Sequence, residues 1–296
     1  MLNNEERDDR TYQLATCYLK TGNVKEAAIW FETLKASSKK YDNDCAYYIS
    51  YIRYTQKRYD EALKGFLPLQ DNPKYKALVP YYIAEIYAIR KNYDKAEIVA
   101  QNYLSAYPQN EHAAEMYRIL GDASYHFRKY HEAINAFESY LERDASPRRD
   151  ALYMLGLSYF QTGVYSKAAE TLGEVTGAND ALTQNAYLHM GLSYLQLAEK
   201  NKARMAFEQA AASNADMKIK EQAAYNYALC IHETSYSAFG ESVTVFEKFL
   251  NEFPNSQYTE MVSNYLVEVY LNTRSYEAAL KSIEPVSYTH LTLPTT

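Results

Sequence analysis

Apolar residues recur along the chain at three- and four-residue intervals, in short stretches separated by polar turns. This spacing places the apolar side chains in one stripe along a helix. Each segment of about 35 residues carries two such stripes, the length range in which repeat proteins build one structural unit. A tight polar turn separates the stripes, as at Lys20-Thr21-Gly22-Asn23 and at Gln161-Thr162-Gly163. The pattern therefore predicts pairs of antiparallel helices, joined as hairpins, along nearly the whole chain.

Two short signatures recur in register within these segments. On the second predicted helix the signature is an aromatic residue, two mostly polar residues and a small residue, which is Ala27, Ala62, Ala96, Ala133, Ala168, Ala203, Ser242 or Ala279. On the first helix, a large apolar residue precedes a small one, as in Ile83-Ala84. Three copies place a glycine at that small position, namely Gly121, Gly156 and Gly191. A glycine inside a helix costs about 1 kcal/mol relative to alanine, so its recurrence predicts close approach of two helices there.

Composition narrows the class of protein. The chain has 296 residues, of which 47% are hydrophobic and 23% charged, so it can bury a sizeable core. Tyrosine is abundant with 32 residues, against 9 glycines and 8 prolines, which favours helices packed through aromatic rings. A net charge of −6 disfavours nucleic acid as a partner. No apolar run is long enough to predict a membrane span. Cys17, Cys45 and Cys230 lie far apart, so we expect buried free thiols and no disulfide framework.

The repeated signatures resemble those of the tetratricopeptide repeat (TPR) family: large–small–aromatic on the first helix, aromatic-x-x-Ala on the second, and a proline between some copies, as at Pro73, Pro108, Pro147 and Pro254. The resemblance implies an all-α fold, a right-handed α-solenoid of about eight TPR helix hairpins whose first helices line a concave groove. We expect this array to span residues 1–285, with repeats starting near 8, 43, 77, 114, 149, 184, 221 and 260.

Both ends of the chain depart from the repeat pattern. Residues 286–296 contain four threonines and a proline and have no helical stripe. This string resembles the translated read-through of a transposase-type sequencing adapter, so we expect a non-native tail; a genuine disordered tail is the alternative. Residues 1–9 suggest a loop that leaves an earlier unit. We therefore expect the chain to be an internal fragment of a longer bacterial array, with an incomplete N-terminus.

Catalytic and cofactor motifs are absent from the sequence. It contains no GxxxxGK[ST], GxGxxG, HExxH or GxSxG pattern. Its six histidines are dispersed, and His126 and His131 are five residues apart, so they do not share a helix face. The sequence therefore predicts a protein that is not an enzyme and that needs no cofactor and no metal.

The TPR resemblance implies which positions of the first helices face the groove. Carried onto this sequence one residue at a time, the candidate partner-binding residues are Tyr12, Tyr47, Tyr51, Tyr54, Tyr81, Arg118, Tyr125, Tyr153, Phe160 and Tyr225. A tyrosine ladder would suit a peptide or a partner helix, because each ring offers a large contact area and a polar tip. Packing between helices is the alternative role for each of these tyrosines. The Lys/Asn/Arg clamp of family members that bind acidic C-terminal tails is not visible here.

Three hypotheses for function follow. The first is a non-enzymatic scaffold that binds a protein or peptide in the groove, with no nucleic acid and no small-molecule ligand expected. The second is a cell-envelope or outer-membrane assembly accessory protein, because residues 106–110 (AYPQN) and 252–256 (EFPNS) are similar to the inter-repeat connections of bacterial TPR lipoproteins. The third is the regulatory array of a longer enzyme or signalling protein. The compartment stays open between the periplasm or cell envelope and the cytoplasm.

Overall fold

The structure is a computed structural model that describes residues 4–234 and 239–287. Within these residues there are sixteen α-helices and no strand. They are α1 (Asn4–Lys20), α2 (Val24–Ser37), α3 (Asp42–Thr55), α4 (Tyr59–Phe66), α5 (Val79–Ile89), α6 (Tyr93–Ala106), α7 (Ala113–His126), α8 (Tyr130–Leu141), α9 (Arg149–Gln161), α10 (Tyr165–Gly173), α11 (Ala181–Gln196), α12 (Lys200–Ala212), α13 (Met217–Thr234), α14 (Phe239–Glu252), α15 (Thr259–Asn272) and α16 (Tyr276–Ser287). A short 3₁₀ helix, Leu67–Leu69, follows α4.

Successive helices pack as hairpins, and each second helix also packs on the first helix of the next hairpin in its unit. The chain divides into two compact units, Met1–Pro147 with α1 to α8 and Arg148–Thr296 with α9 to α16. The prediction of an all-α solenoid of helical hairpins is confirmed. Its grouping into one array over residues 1–285 stays a prediction, as do the predicted repeat starts. Residues 286 and 287 form the end of α16, and 288–296 of the expected tail lie outside the described residues.

The recurrent small residues are where the helices meet. All eight alanine or serine positions of the second helices are at most 2% exposed. A Cβ atom added to Gly121 would lie 2.7 Å from the Phe137 ring, and one added to Gly191 would lie 2.5 Å from the Phe207 ring. Distances this short cannot be accommodated without movement of the neighbouring side chain. At Gly121 and Gly191, glycine therefore leaves the space that a ring of the second helix fills.

A left-handed residue closes each described hairpin turn. The positive φ angles are at Gly22, Lys57, Lys91, Arg128, Gly163, Ala198 and Arg274. The following backbone N–H bonds to the carbonyl five residues earlier, as from Asn23 to Tyr18 at 2.9 Å. This is the Schellman arrangement that satisfies the last carbonyls of a helix. Only two of these residues are glycines. The backbone geometry of the turn therefore recurs even where the sequence has no glycine to mark it.

The cysteine prediction is correct for two residues and wrong for one. Cys45 and Cys230 are buried, and burial raises the pKa of their thiols to about 12 and about 11. Cys17 is exposed. The equivalent residue of the second hairpin is Ile52, which is buried because it packs against the preceding hairpin. Cys17 lies on α1, which is the first helix described. None of the helices in the described ranges is both long and apolar enough to cross a membrane.

Candidate protein-binding surface

All ten candidate residues lie on first helices of the hairpins. Tyr12 is on α1, three tyrosines are on α3, Tyr81 is on α5, and the others lie on α7, α9 and α13. Eight of the ten are half-buried, whereas Arg118 and Tyr225 are buried. The binding role of the set stays a prediction. What the structure adds is the contacts that each side chain already makes within the chain.

One series of tyrosines packs between successive hairpins. The ring three residues before the small position stacks on a ring at the start of the next hairpin: Tyr12 on Tyr41 (4.5 Å between centroids), Tyr47 on Tyr75 (4.8 Å), Tyr81 on His112 (4.4 Å) and Tyr225 on Tyr258 (4.1 Å). Stacked aromatic pairs of this kind add to the stability that burial alone provides. The rings at this position therefore pack between hairpins, and only part of each ring surface is left for contact with a partner.

Two aspartates of the first unit reinforce the same joints. Asp9 accepts hydrogen bonds from Lys40 Nζ at 2.7 Å and from Tyr41 Oη at 2.8 Å. In the next hairpin Asp44 accepts from Lys74 Nζ at 2.5 Å, and Tyr75 donates its hydroxyl to the same carboxylate. The bond from Lys40 holds the pKa of Asp9 below its ordinary value. These two joints are thus built from phenols and ion pairs.

A cluster of rings on α3 and α5 forms what we call the tyrosine wall, which consists of Tyr47, Tyr51, Tyr54, Tyr81 and Tyr82. Tyr82 is at its centre. The centroid of its ring lies 5.8 Å from that of Tyr51, 5.2 Å from that of Tyr54 and 5.0 Å from that of Tyr81. All five rings are half-buried. Four of the ten candidates are brought together here, and the rest lie on other helices.

Tyr82 is the member of the wall that the sequence prediction missed. It stacks on Phe66 of the preceding second helix at 5.2 Å, with nearly parallel planes. The same pairing recurs between Tyr48 and Phe31 at 4.8 Å. The sequence contains a signal that could have identified Tyr82. In both pairs the tyrosine lies two residues before the small position, and the phenylalanine lies four residues after the alanine of the preceding second helix.

The wall contains one carboxylate, Glu85 on α5. Tyr54 Oη donates to Glu85 Oε2 at 2.5 Å. Burial raises the pKa of Tyr54 and of Tyr81, and the charge of Glu85 raises both further. Both phenols therefore stay protonated at neutral pH, and Tyr54 donates its hydroxyl to the half-buried carboxylate.

Arg118 is neutralised inside its own helix. Its Nε lies 2.7 Å from Glu115 Oε2, and its Nη1 lies 2.7 Å from Asp122 Oδ2. The side chain is only 6% exposed. The lone arginine of the candidate set is thus held between two carboxylates of α7, so its guanidinium is already engaged.

The remaining candidates have local aromatic partners. Tyr125 meets Tyr130 edge-on at 6.0 Å, and Phe160 meets both Tyr165 and His189 edge-on at 5.6 Å. Tyr153 is half-buried on α9. Across the described parts of the chain, no three His, Cys, Asp or Glu side chains are grouped so that they could hold a metal ion.

Comparison with known proteins gives matches in sequence and in structure. The family model of anaphase-promoting complex, cyclosome, subunit 3 matches residues 126–210. A TPR repeat-containing protein of Methanocaldococcus jannaschii is 27% identical over 170 residues, which is 56% of this chain. The match covers 28% of that relative, so the chain spans little more than a quarter of its length.

Two solved structures have similar folds. The crystal structure of a tetratricopeptide repeat protein from Parabacteroides merdae aligns over 89% of this chain and 99% of its own, with a TM-score of 0.51 and 13% identity. The structure of YrrB, described as a TPR protein with an unusual peptide-binding site, aligns over 64% of this chain and 95% of its own, with a TM-score of 0.54 and 16% identity. At these identities the likeness concerns the fold.

Proposed function

From the premise that the chain is a tetratricopeptide repeat protein, we propose that it is a non-enzymatic scaffold which binds a peptide or a partner helix against the tyrosine wall of α3 and α5. A role in protein interaction accompanies the fold in general. The finer proposal concerns where a partner binds and which residues contact it.

The observation that carries this proposal is the half-exposed cluster of rings. Tyr47 and Tyr81 pack on the next hairpin, but among the aromatic pairs of the described residues Tyr51 contacts only rings of the wall itself. A tyrosine that is partly exposed, held by its neighbours and provided with a polar tip loses little conformational freedom when a partner covers it. The likeness to YrrB supports a peptide as the partner.

The test is selection of a displayed random-peptide library on the full chain, followed by binding measurements on the selected peptides. We expect Tyr51→Ala to weaken their binding about tenfold, because truncation of a central aromatic residue removes one of the few contacts that dominate an interface. Its control is Ile98→Ala, which removes a large, 57% exposed apolar side chain from the second helix α6. Peptides that bind both variants as tightly as the wild type would refute the wall as the binding surface.

The structure also explains why Tyr51 is the better probe. Paired alanine substitutions of Tyr47 and Tyr81 would remove stacking on Tyr75 and on His112 as well as any contact with a partner. Loss of binding would then be mixed with loss of stability. The cell-envelope role and the role as regulatory array of a longer protein stay alternative predictions, which the compartment and the neighbouring sequence of the natural protein would decide.

A further inference from the structure

We propose that Glu85 and the tyrosine wall bind an arginine side chain of the partner segment. This inference rests on the proposed function, because it names the residue of the partner that the surface recognises. It also makes a claim about a single site of this chain, which can be tested with a small probe in the absence of any peptide.

The first step of the argument is the state of Glu85. The side chain is half-buried, and it accepts a hydrogen bond from the neutral hydroxyl of Tyr54. None of the ion pairs found among the described residues involves Glu85. Neutral donors stabilise a carboxylate without cancelling its charge. The surface therefore presents a negative charge that the chain itself does not neutralise.

The second step compares two equivalent positions on neighbouring first helices. Glu85 directly follows the small residue Ala84 on α5, and Asp122 directly follows the small residue Gly121 on α7. Three residues before the small position, α7 has Arg118, whose Nη1 lies 2.7 Å from Asp122. At that same position α5 has Tyr81. The chain thus supplies its own arginine to the acid of α7, and supplies a tyrosine to the acid of α5.

The third step concerns the rings around Glu85. Tyr54 and Tyr51 both meet Tyr82 nearly edge-on, at interplanar angles of 64° and 70°. The rings of the wall therefore present faces in more than one direction, and the hydroxyl of one of them, Tyr54, lies at the carboxylate. A guanidinium can stack on a tyrosine face while its planar fork donates two hydrogen bonds to a carboxylate. Arginine suits this combination better than lysine, because its cation is planar and less strongly hydrated.

The experiment titrates the full chain with N-acetyl-L-arginine amide and follows the chemical shifts of the tyrosine rings. We expect saturable shifts in the wall of the wild type and at least a tenfold loss of affinity in Glu85→Gln, which keeps the size and the acceptor oxygen of the side chain. The matched control is Glu26→Gln, which removes the same charge from an exposed position on α2. Equal binding by wild type and Glu85→Gln would overturn the proposal.

Two further measurements define the chemistry. N-acetyl-L-citrulline amide has the shape of the probe without its charge and should not bind; binding equal to that of the arginine probe would overturn the ion pair. N-acetyl-L-lysine amide should bind at least several-fold more weakly, and equal binding would overturn the choice of arginine. Tyr81→Arg reproduces the arrangement of α7, so it should block the probe by filling the site from within. Because Tyr81→Arg also loses the stack on His112, its circular dichroism spectrum is compared with that of the wild type. If folded Tyr81→Arg bound the probe as tightly as the wild type, the proposal would be overturned, whether or not Glu85→Gln folds.

The outcomes separate this inference from the proposed function. If selected peptides depend on Tyr51 and bind Glu85→Gln as tightly as the wild type, the wall binds peptides and the arginine site is wrong. If the arginine probe binds through Glu85 and no peptide depends on Tyr51, the site is right and the proposed groove function is wrong. Support for both requires a double comparison. Replacing an arginine of a selected peptide by citrulline should weaken its binding to the wild type, and the same replacement should cause no further loss of affinity for Glu85→Gln.

Discussion

The two compact units join their hairpins at similar places with different chemistry. In the first unit, Asp9 and Asp44 lie six residues before the small position and bind the lysine and tyrosine that begin the next hairpin. In the second unit, the joining residues lie seven residues before it. Arg149 donates to the Val175 carbonyl and to Asp180, and Gln184 donates to the carbonyls of the following joint.

This difference shows which part of a repeat is constrained. The small positions and the hairpin turns keep the same geometry in both units. The joint needs only a polar side chain that can reach the next hairpin, and a carboxylate, a guanidinium or an amide meets that need. The joints of Asp9 and Asp44 combine phenols with ion pairs, whereas those of Arg149 and Gln184 combine the Arg149–Asp180 ion pair with side-chain bonds to backbone carbonyls.

The largest expected difference between the units is in alkali. Burial raises the pKa of Tyr47, Tyr54 and Tyr81, and it raises that of Tyr103 to about 12. In the unfolded chain these phenols ionise near pH 10. Their contribution to stability is therefore complete below about pH 10 and is lost as the pH rises toward the folded-state values. We expect the first unit to unfold before the second as the pH is raised.

The single tryptophan, Trp30 on α2, makes that prediction measurable. The wavelength of its emission maximum reports the first unit alone, whereas far-ultraviolet circular dichroism reports helices in both units. A tryptophan transition at lower pH than the midpoint of helix loss is the expected result. Coincident transitions would show that the difference in joint chemistry does not separate the units in stability.

The second prediction weakens the second unit instead. Gln184 is 1% exposed; it donates to the carbonyls of Ala210 and Ser213 and accepts from the backbone N–H of Asp216. Gln184→Leu leaves all three backbone groups without that partner and should lower the free energy of unfolding by about 3 kcal/mol. Urea unfolding followed by circular dichroism measures this. The control is Gln209→Leu, at an exposed position of α12.

The outcome for the tryptophan signal completes that test. If Gln184 stabilises only its own unit, the urea transition of Trp30 should not move. A shift of both signals by the same amount would mean that the two units unfold as one cooperative body.

The third prediction tests the small position of the first helices. In the first unit, its first three hairpins have alanine or serine there, whereas the first two hairpins of the second unit have glycine. A Cβ on Gly156 would lie 2.6 Å from Leu172 Cγ. Gly156→Leu should therefore overpack the hairpin and cost on the order of 1–3 kcal/mol. A Cβ on Gly177 would meet no atom within 4 Å, so Gly177→Leu is the control. Equal melting temperatures for the two variants would contradict the packing role.

Much of the fold follows from the sequence because its constraints are local and repeated. A buried alanine or serine recurs in all eight segments, and in the first seven a small residue lies twelve to fourteen positions before it; the structure places these residues where the helices meet. The wall was only partly predictable. The position of Tyr51 on a first helix follows from the repeat, but its contact with Tyr82 depends on how Tyr82 stacks on Phe66, which lies on another helix.

The status of Arg118 could not be predicted from its position alone. Its neutralisation depends on Glu115 and Asp122, three residues before it and four after it on the same helix. These spacings are visible in the sequence and permit the contacts. What the spacing does not give is the burial that makes the guanidinium inaccessible, because burial depends on the neighbouring helices.

The smallest expected effect concerns the turns, the feature that the two units share. Ala198 ends its hairpin turn at φ 59°, in the left-handed region that Gly163 occupies at φ 79° in the preceding hairpin. An alanine there has a steric cost that glycine does not have, although glycine loses more entropy on folding. Ala198→Gly should therefore stabilise the chain by about 0.5 kcal/mol, and Gly163→Ala should destabilise it by about 1 kcal/mol. A gain of stability in Ala198→Gly and a loss in Gly163→Ala, measured by urea unfolding, are the expected results. The reverse pair of signs would mean that unfolded-chain entropy outweighs turn geometry.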